Sequence, residues 1–268
     1  TGQRSVAAAE PAVSPGRWGA GLPSRYTTAD LEVLTEAERR RFMPAGEDPR
    51  EEIELAWELL YRREPRLYDR LASAERLHPD LIDWLPDGVE RIVEVGAGAG
   101  RLTLELLERT EAVWAVEPAA PLRELLLEKL SRDRRGDRAR VLDGFFDELP
   151  LDDDFADLVV TCSAFTPHAA HGGAAGLAEM ERVCRQGGCV AIVWPNNVEW
   201  LAAHGFHYVS FAGEMCLEFA SPEEAVELIE IFHPHAAQAV RDAGSRRVPY
   251  SALGVNPPRD VAYKVISA

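Results

Sequence analysis

An apolar run that ends in glycine at every second position constrains this chain more than any other stretch. Residues 93–100 read Val93-Glu94-Val95-Gly96-Ala97-Gly98-Ala99-Gly100. Such a run is a buried strand entering a tight turn, and three glycines so close together mean that something approaches the backbone there. The stretches around it alternate between strand and helix texture. Apolar strands are expected at 91–95, 112–116, 139–142, 157–162 and 189–194, with helical patterns between them, as at Pro121–Leu130 and Gly176–Val183. This alternation predicts right-handed βαβ crossovers and a parallel sheet. Two further strands, His207–Phe211 and Val261–Ile266, bracket a helix that opens with Ser221-Pro222-Glu223-Glu224, an N-cap, a first-turn proline and a capping-box glutamate.

Around this core the organisation is simple. Residues 1–27 are rich in Ala, Gly, Pro and Ser without apolar periodicity and read as a flexible N-terminal tail. Residues 28–88 read as a helical cap, with Ile53, Trp57 and Leu60 at helical spacing and Pro65, Pro79 and Pro86 as punctuation. Residues 89–268 form the α/β domain, with a helical insertion around 212–258.

Charge and composition exclude several functions. The 268 residues carry 29 Lys+Arg against 45 Asp+Glu, a net charge of −16, so the averaged field repels phosphate backbones and anionic lipid. Neither nucleic acid nor a membrane is expected as a partner. The four cysteines, Cys162, Cys184, Cys189 and Cys216, show no zinc-ribbon spacing and are too few for a disulfide scaffold. No apolar run approaches the roughly 18 residues of a membrane span. A cytoplasmic location fits these features; the oligomeric state is left open.

In an open parallel sheet, ligands bind at the carboxyl ends of the strands where strand order reverses. A dinucleotide fingerprint there has the spacing G-x-G-x-x-G, so that pyrophosphate rests on a helix N-terminus. This chain has G-x-G-x-G, with Arg101 where the third glycine would stand. The second strand ends in Glu117-Pro118, and Glu117 lies close to the roughly 20-residue offset at which a carboxylate reaches a ribose diol.

Four pieces in order then resemble a class I S-adenosylmethionine-dependent methyltransferase of the group that modifies small molecules. They are VEVGAGAG at 93–100, VEP at 116–118, GFFDELPLDDDFADLVV at 144–160 and EMERVCRQGGCVAIV at 179–193. The resemblance covers about residues 90–195. It implies a Rossmann-like three-layer α/β sandwich: a seven-stranded, mostly parallel sheet with an antiparallel last strand, under the N-terminal helical cap. The implied cofactor is S-adenosylmethionine, leaving as S-adenosylhomocysteine. Its methionine end is expected over Glu94, Gly96, Ala97, Gly98 and Gly100, its ribose at Glu117 and Pro118, and its adenine near Gly144, Phe145 and Phe146, with Ser163 also at the site. Relatives commonly place Asp where this chain has Phe145, so Asp143 or Asp147 stands as a replacement acceptor, and both phenylalanines also fit a core role. Tyr68, in LYDRL at 67–71, resembles the tyrosine that caps the methionine end, with Arg76 a second candidate for the carboxylate.

Methyl transfer needs a general base only where the acceptor must lose a proton. His168 and His171, in TCSAFTPHAAHGG after the fourth strand, are the catalytic candidates; as loop histidines they also fit simple backbone bonding. Cys162, His168 and His171 lack a fourth partner at metal-ligand spacing, and Thr161-Cys162-Ser163 lacks the carboxylates of a metal-dependent catechol type, so no metal is expected. The motif with which base-methylating enzymes grip their target occurs only as Asn256-Pro257-Pro258, far from the fourth strand. The expected activity is methylation of a small molecule, on oxygen or nitrogen in preference to carbon. Two alternatives stay open: the same fold binding S-adenosylmethionine without transferring methyl, as a non-catalytic partner or for other chemistry, and an NAD(P)-dependent oxidoreductase.

Overall fold

Seven strands, in the order β3-β2-β1-β4-β5-β9-β6, form the main sheet of the computed structural model, which describes residues 19–43 and 49–267. They are β1 (Ile92–Val95), β2 (Val113–Val116), β3 (Ala139–Leu142), β4 (Ala156–Cys162), β5 (Cys184–Val193), β6 (His207–Ser210) and β9 (Asp260–Val265). The first five pair in parallel, and β9 runs antiparallel to both β5 and β6. The fold is therefore the Rossmann-like sandwich with an antiparallel last strand. Strand order reverses between β1 and β4, which places the carboxyl ends of those two strands at the switch point.

The chain divides into two compact units. The first comprises Leu77–Gly213 and Pro258–Ala268; the second contains the segment before Leu77 together with Glu214–Pro257. In the first unit, helices α4 (Pro79–Trp84), α5 (Arg101–Leu106) and α6 (Ala120–Arg132) cover one face of the sheet, through Leu81, Leu102, Leu106, Leu126 and Leu130. On the other face, α7 (Gly173–Val183) and α8 (Val198–Ala203) bring Leu177, Met180, Val183 and Leu201. Burial on both faces explains why β1 and β4 read as continuous apolar runs instead of alternating ones.

The second unit is built from α1 (Glu36–Phe42), α2 (Pro49–Arg63), α3 (Pro65–Ala74), α9 (Pro222–Phe232), α10 (Ala237–Ala243) and α11 (Tyr250–Leu253). A two-stranded antiparallel ribbon, β7 (Cys216–Glu218) with β8 (Arg247–Pro249), completes it. Trp57 of α2 stacks on Phe232 of α9 at 5.5 Å, and Arg70 of α3 bonds Glu224 and Glu227 of α9. The cap and the insertion, read as separate in the sequence, thus share one core.

Four boundaries differ from the sequence reading. The tail expected to residue 27 is described from Gly19, and Leu22 is fully buried because the turn at Gly19 donates to the Phe232 carbonyl; residues 1–18 lie outside the described residues. Leu77–Gly88 belongs to the first unit rather than to the helical cap, since Leu81 and Leu85 pack into the sheet core. The insertion around 212–258 is not wholly helical, as three-residue strands are too short to show a period. Finally, β5 starts at Cys184, five residues early, because the register shift opposite Ala156 and Leu158 absorbs Arg185–Gly188. Among the described residues no helix is long and apolar enough to cross a membrane.

Within the second unit, the Arg62 guanidinium is 5% exposed and is shared at 2.6 Å by Glu38 of α1 and Glu58 of α2. Removing one partner of such a buried network strands the rest. Arg62→Ala is expected to cost about 3 kcal/mol, read as a lower urea midpoint, whereas Arg40→Ala, in an exposed pair with Glu36, should leave the midpoint unchanged.

Candidate active site

Each glycine of the loop after β1 has a positive φ: 72° at Gly96, 56° at Gly98 and 92° at Gly100. A side chain at Gly96 would also lie 2.6 Å from the Ala164 Cβ, so this position needs glycine for space as well as for conformation. The loop is anchored to the end of β2. Gly96 and Ala97 N–H both donate to the Val116 carbonyl, at 2.8 and 3.1 Å. Glu117, 5% exposed, accepts Gly98 N–H on Oε2 at 2.9 Å and Ala119 N–H on Oε1 at 2.8 Å. Its carboxylate therefore holds the glycine loop and the start of α6 together. Arg123 donates to the carbonyls of Glu117 and Pro118 and to the Asp143 carboxylate, joining the ends of β2 and β3.

Glu94 is 1% exposed and accepts Thr103 Oγ1–H at 2.5 Å. Burial pushes its carboxyl up to about 8, opposed by the Thr103 hydrogen bond and the Arg101 charge. The Arg101 guanidinium lies 5.5 Å over the Trp194 ring and donates to Cys162 Sγ at 3.3 Å, spanning the carboxyl ends of β4 and β5. Those two strands end in residues with left-handed backbone that are not glycine, Ser163 (φ 57°) and Trp194 (φ 53°), and Ser163 N–H donates to the Val193 carbonyl. Such conformations cost energy and tend to be kept where function uses them.

After β3, Gly144 packs between Pro150 and Val116, and residues 145–148 form a turn closed by a bridge between Phe145 and Glu148. Phe146 packs edge-on against Phe165 at 5.5 Å and closely against Gly176, so it supports the loop from within the core. Of the two carboxylates considered in place of the missing Asp, Asp143 is engaged by Arg123 and Asp147 lies at the tip of the turn.

His168 and His171 share one compact turn, with ring centroids 6.3 Å apart. His168 Nδ1 accepts the Ala170 N–H at 3.3 Å, and His171 N–H donates to the His168 carbonyl. With Nδ1 accepting, the neutral His168 ring carries its proton on Nε2 and presents a donor there. Tyr68 and Arg76 belong to the second unit, where Tyr68 packs edge-on against Tyr61 at 4.8 Å.

One unit thus brings together Glu94, Gly96, Ala97, Gly98, Gly100, Glu117 and Pro118 around the β1 and β2 ends, with Gly144 against Val116 and Phe146 beside Gly96. Sequence reasoning missed Thr103, the partner of Glu94, and Trp194, the shelf under Arg101. Neither has a local signal: Thr103 reads as an ordinary helix residue and Trp194 as the end of an apolar strand.

Residues 92–188 match the model of a methyltransferase domain family. An uncharacterized methyltransferase of Mycobacterium tuberculosis is 36% identical over 124 residues, covering 46% of this chain and 47% of that protein. One of Geobacillus thermodenitrificans is 31% identical over 125 residues, covering 43% of this chain and 56% of that one. The chain thus spans about half the length of the curated relatives it matches. Among solved structures, a putative methyltransferase of Haloferax volcanii in complex with the activator Trm112 aligns with a TM-score of 0.49 at 18% identity, over 77% of this chain and 93% of that one. The [4+2]-cyclase SpnF aligns with a TM-score of 0.46 at 15% identity, over 76% and 82%.

The raised Glu94 carboxyl has a stability consequence. A folded-state pKa above the ordinary 4.5 means that the folded protein holds the proton more tightly, so stability falls as pH rises from about 4.5 to about 8. Glu94→Gln removes that dependence, and its stability, read by urea unfolding at a series of pH values, should gain on the parent across this window, by at most about 5 kcal/mol at the upper end.

Proposed function

We propose that the protein is a class I S-adenosylmethionine-dependent methyltransferase, built on the methyltransferase-domain match of residues 92–188, and that it transfers a methyl group to a small molecule, on oxygen or nitrogen. The observation that carries this reading is the Glu117 carboxylate clasping Gly98 N–H at the switch point. A carboxylate held beside the glycine loop in this way supports a ribose at the end of β2.

The residues fit S-adenosylmethionine. A carboxylate at the end of β2, beside the backbone of the glycine loop after β1, is the kind of acceptor that suits the hydroxyls of a ribose. Gly96, Ala97, Gly98 and Gly100 would hold the amino-acid end, with Glu94 and Thr103 beneath them. Gly144, Phe145 and Phe146 would border the adenine, and Ser163 the mouth at the end of β4. Tyr68 is proposed to cap the methionine end. When bound, the cofactor supplies an electrophilic sulfonium methyl, so the protein's main task is alignment.

The chain's own residues have three further tasks. Pre-formed backbone bonds from Gly96, Ala97 and Gly98 fix the loop before a ligand arrives, which limits the ordering cost of binding. Burial of Glu94 keeps it protonated at neutral pH, so no uncompensated anion sits under the loop. Proton removal from an acceptor hydroxyl or ammonium falls to His171 in preference to His168, whose Nδ1 is committed to Ala170 N–H.

Isothermal titration with S-adenosylhomocysteine and with NADH tests the cofactor assignment. Binding of the first alone is expected, weakened at least tenfold in Glu117→Ala; binding of the nicotinamide alone overturns it. A panel of phenols and amines, followed by mass spectrometry, tests the transfer. Against an acceptor so found, His171→Ala should lower kcat by about 10²-fold or more without changing S-adenosylhomocysteine affinity. Binding without conversion of any acceptor would mark the site as serving other chemistry.

A further inference from the structure

The chain leaves the first unit after Gly213 and re-enters it at Pro258, so the ends of β6 and β9 form the neck of the Glu214–Pro257 excursion. The neck is closed by backbone and side-chain bonds. Phe211 N–H donates to the Arg259 carbonyl at 2.9 Å, the Arg259 guanidinium donates to the Gly213 carbonyl at 3.1 Å, and His78 N–H donates to the Pro258 carbonyl at 3.0 Å. The His78 ring stacks on Phe211, with centroids 5.8 Å apart.

Asp260, the first residue of β9, is 5% exposed. Its Oδ2 accepts Tyr208 Oη–H at 2.7 Å, while Oδ1 has no hydrogen-bond partner among the described residues. The groups that face it are Tyr208 and Ser210 from β6, Arg259 from its own strand and the uncharged Trp194 at the end of β5, whose N–H donates to the Asp260 carbonyl. His78 is the other titratable group at the neck, held against Phe211. The cation next to Asp260 is thus already donating to Gly213.

A neutral carboxylic acid tolerates a buried oxygen without a partner far better than a carboxylate does. We propose that Asp260 is a proton-operated latch: protonated, it keeps β6 and β9 paired at the neck, and on ionisation it favours local opening of Tyr208–Gly213 and Pro258–Val261, where water can reach the carboxylate. Burial pushes the carboxyl up to about 6, partly offset by the Tyr208 hydrogen bond and the Arg259 charge. The closed neck therefore holds the proton more tightly than an open, hydrated one. Closure is favoured below the ordinary carboxylate range, loses ground as pH rises through about 6, and is constant above it. The latch stands apart from the methyl-transfer reading and would act whatever the site binds.

Hydrogen exchange of the full chain, read by mass spectrometry at pH 5 and pH 7.5 and corrected for intrinsic exchange chemistry, tests the latch. In a Glu94→Gln background, which removes the pH dependence set on β1, opening at the neck is expected to rise about tenfold between the two pH values, with peptides from β1 and β4 unchanged. Asp260→Asn should abolish the rise. Should that variant fail to fold, Tyr208→Phe removes a bond that favours the anion in the closed neck and should enlarge the rise between pH 5 and pH 7.5. Equal neck protection at both pH values, a rise shared equally by β1 and β4, a rise retained in Asp260→Asn or a rise not enlarged in Tyr208→Phe would each overturn the proposal.

Discussion

The two N–H bonds received by Glu117 tie three separate pieces of chain to one carboxylate: the end of β2, the glycine loop after β1 and the start of α6. A carboxylate can do this only if backbone N–H groups converge on it, and here they do so because three glycines adopt left-handed backbone that other residues avoid. The neighbouring features follow from the same anchor. With the loop pinned to Val116 and Glu117, α5 starts at Arg101, which directs its guanidinium toward the ends of β4 and β5 and places Thr103 over Glu94. A buried acid, a stacked guanidinium and a rigid turn thus share a common origin in one short strand-loop-helix element.

Much of this element could be read from the amino-acid sequence because its chemistry is local or set at a fixed offset. Gly96, Gly98 and Gly100 declare their backbone by type, and Glu117 declares itself by its distance from them. The sheet was legible for a similar reason: strands buried on both faces are short apolar runs, and five of them between helical patterns leave little choice of architecture. What escaped depends on partners distant in sequence. Leu22 resembles a tail residue until Phe232 is known to lie against its turn, and the kinship of the cap with the 214–257 segment rests on Trp57 meeting Phe232 and Arg70 meeting Glu224 and Glu227. No local period encodes such pairings.

The histidines show a finer version of this limit. By type and position His168 and His171 were equivalent, three residues apart in a loop of small residues. The fold separates them through a single backbone N–H, that of Ala170, which occupies one nitrogen of His168 and so fixes where its proton rides. The replacement of Asp by Phe145 is similar: the family resemblance flagged it, but only the fold reveals that Asp143 is already engaged by Arg123.

The closure of β6 onto β9 at Phe211 and Arg259 bears on how such a chain can diverge. Because the strands are already bonded before the excursion begins, what lies between Glu214 and Pro257 hangs from a finished hairpin, and its length is free of the sheet's register. Descendants can therefore trade this segment, together with the N-terminal helices that share its core, while the glycine loop and its glutamate stay fixed. The excursion and the glycine loop are thus free to change on separate stretches of the same polypeptide.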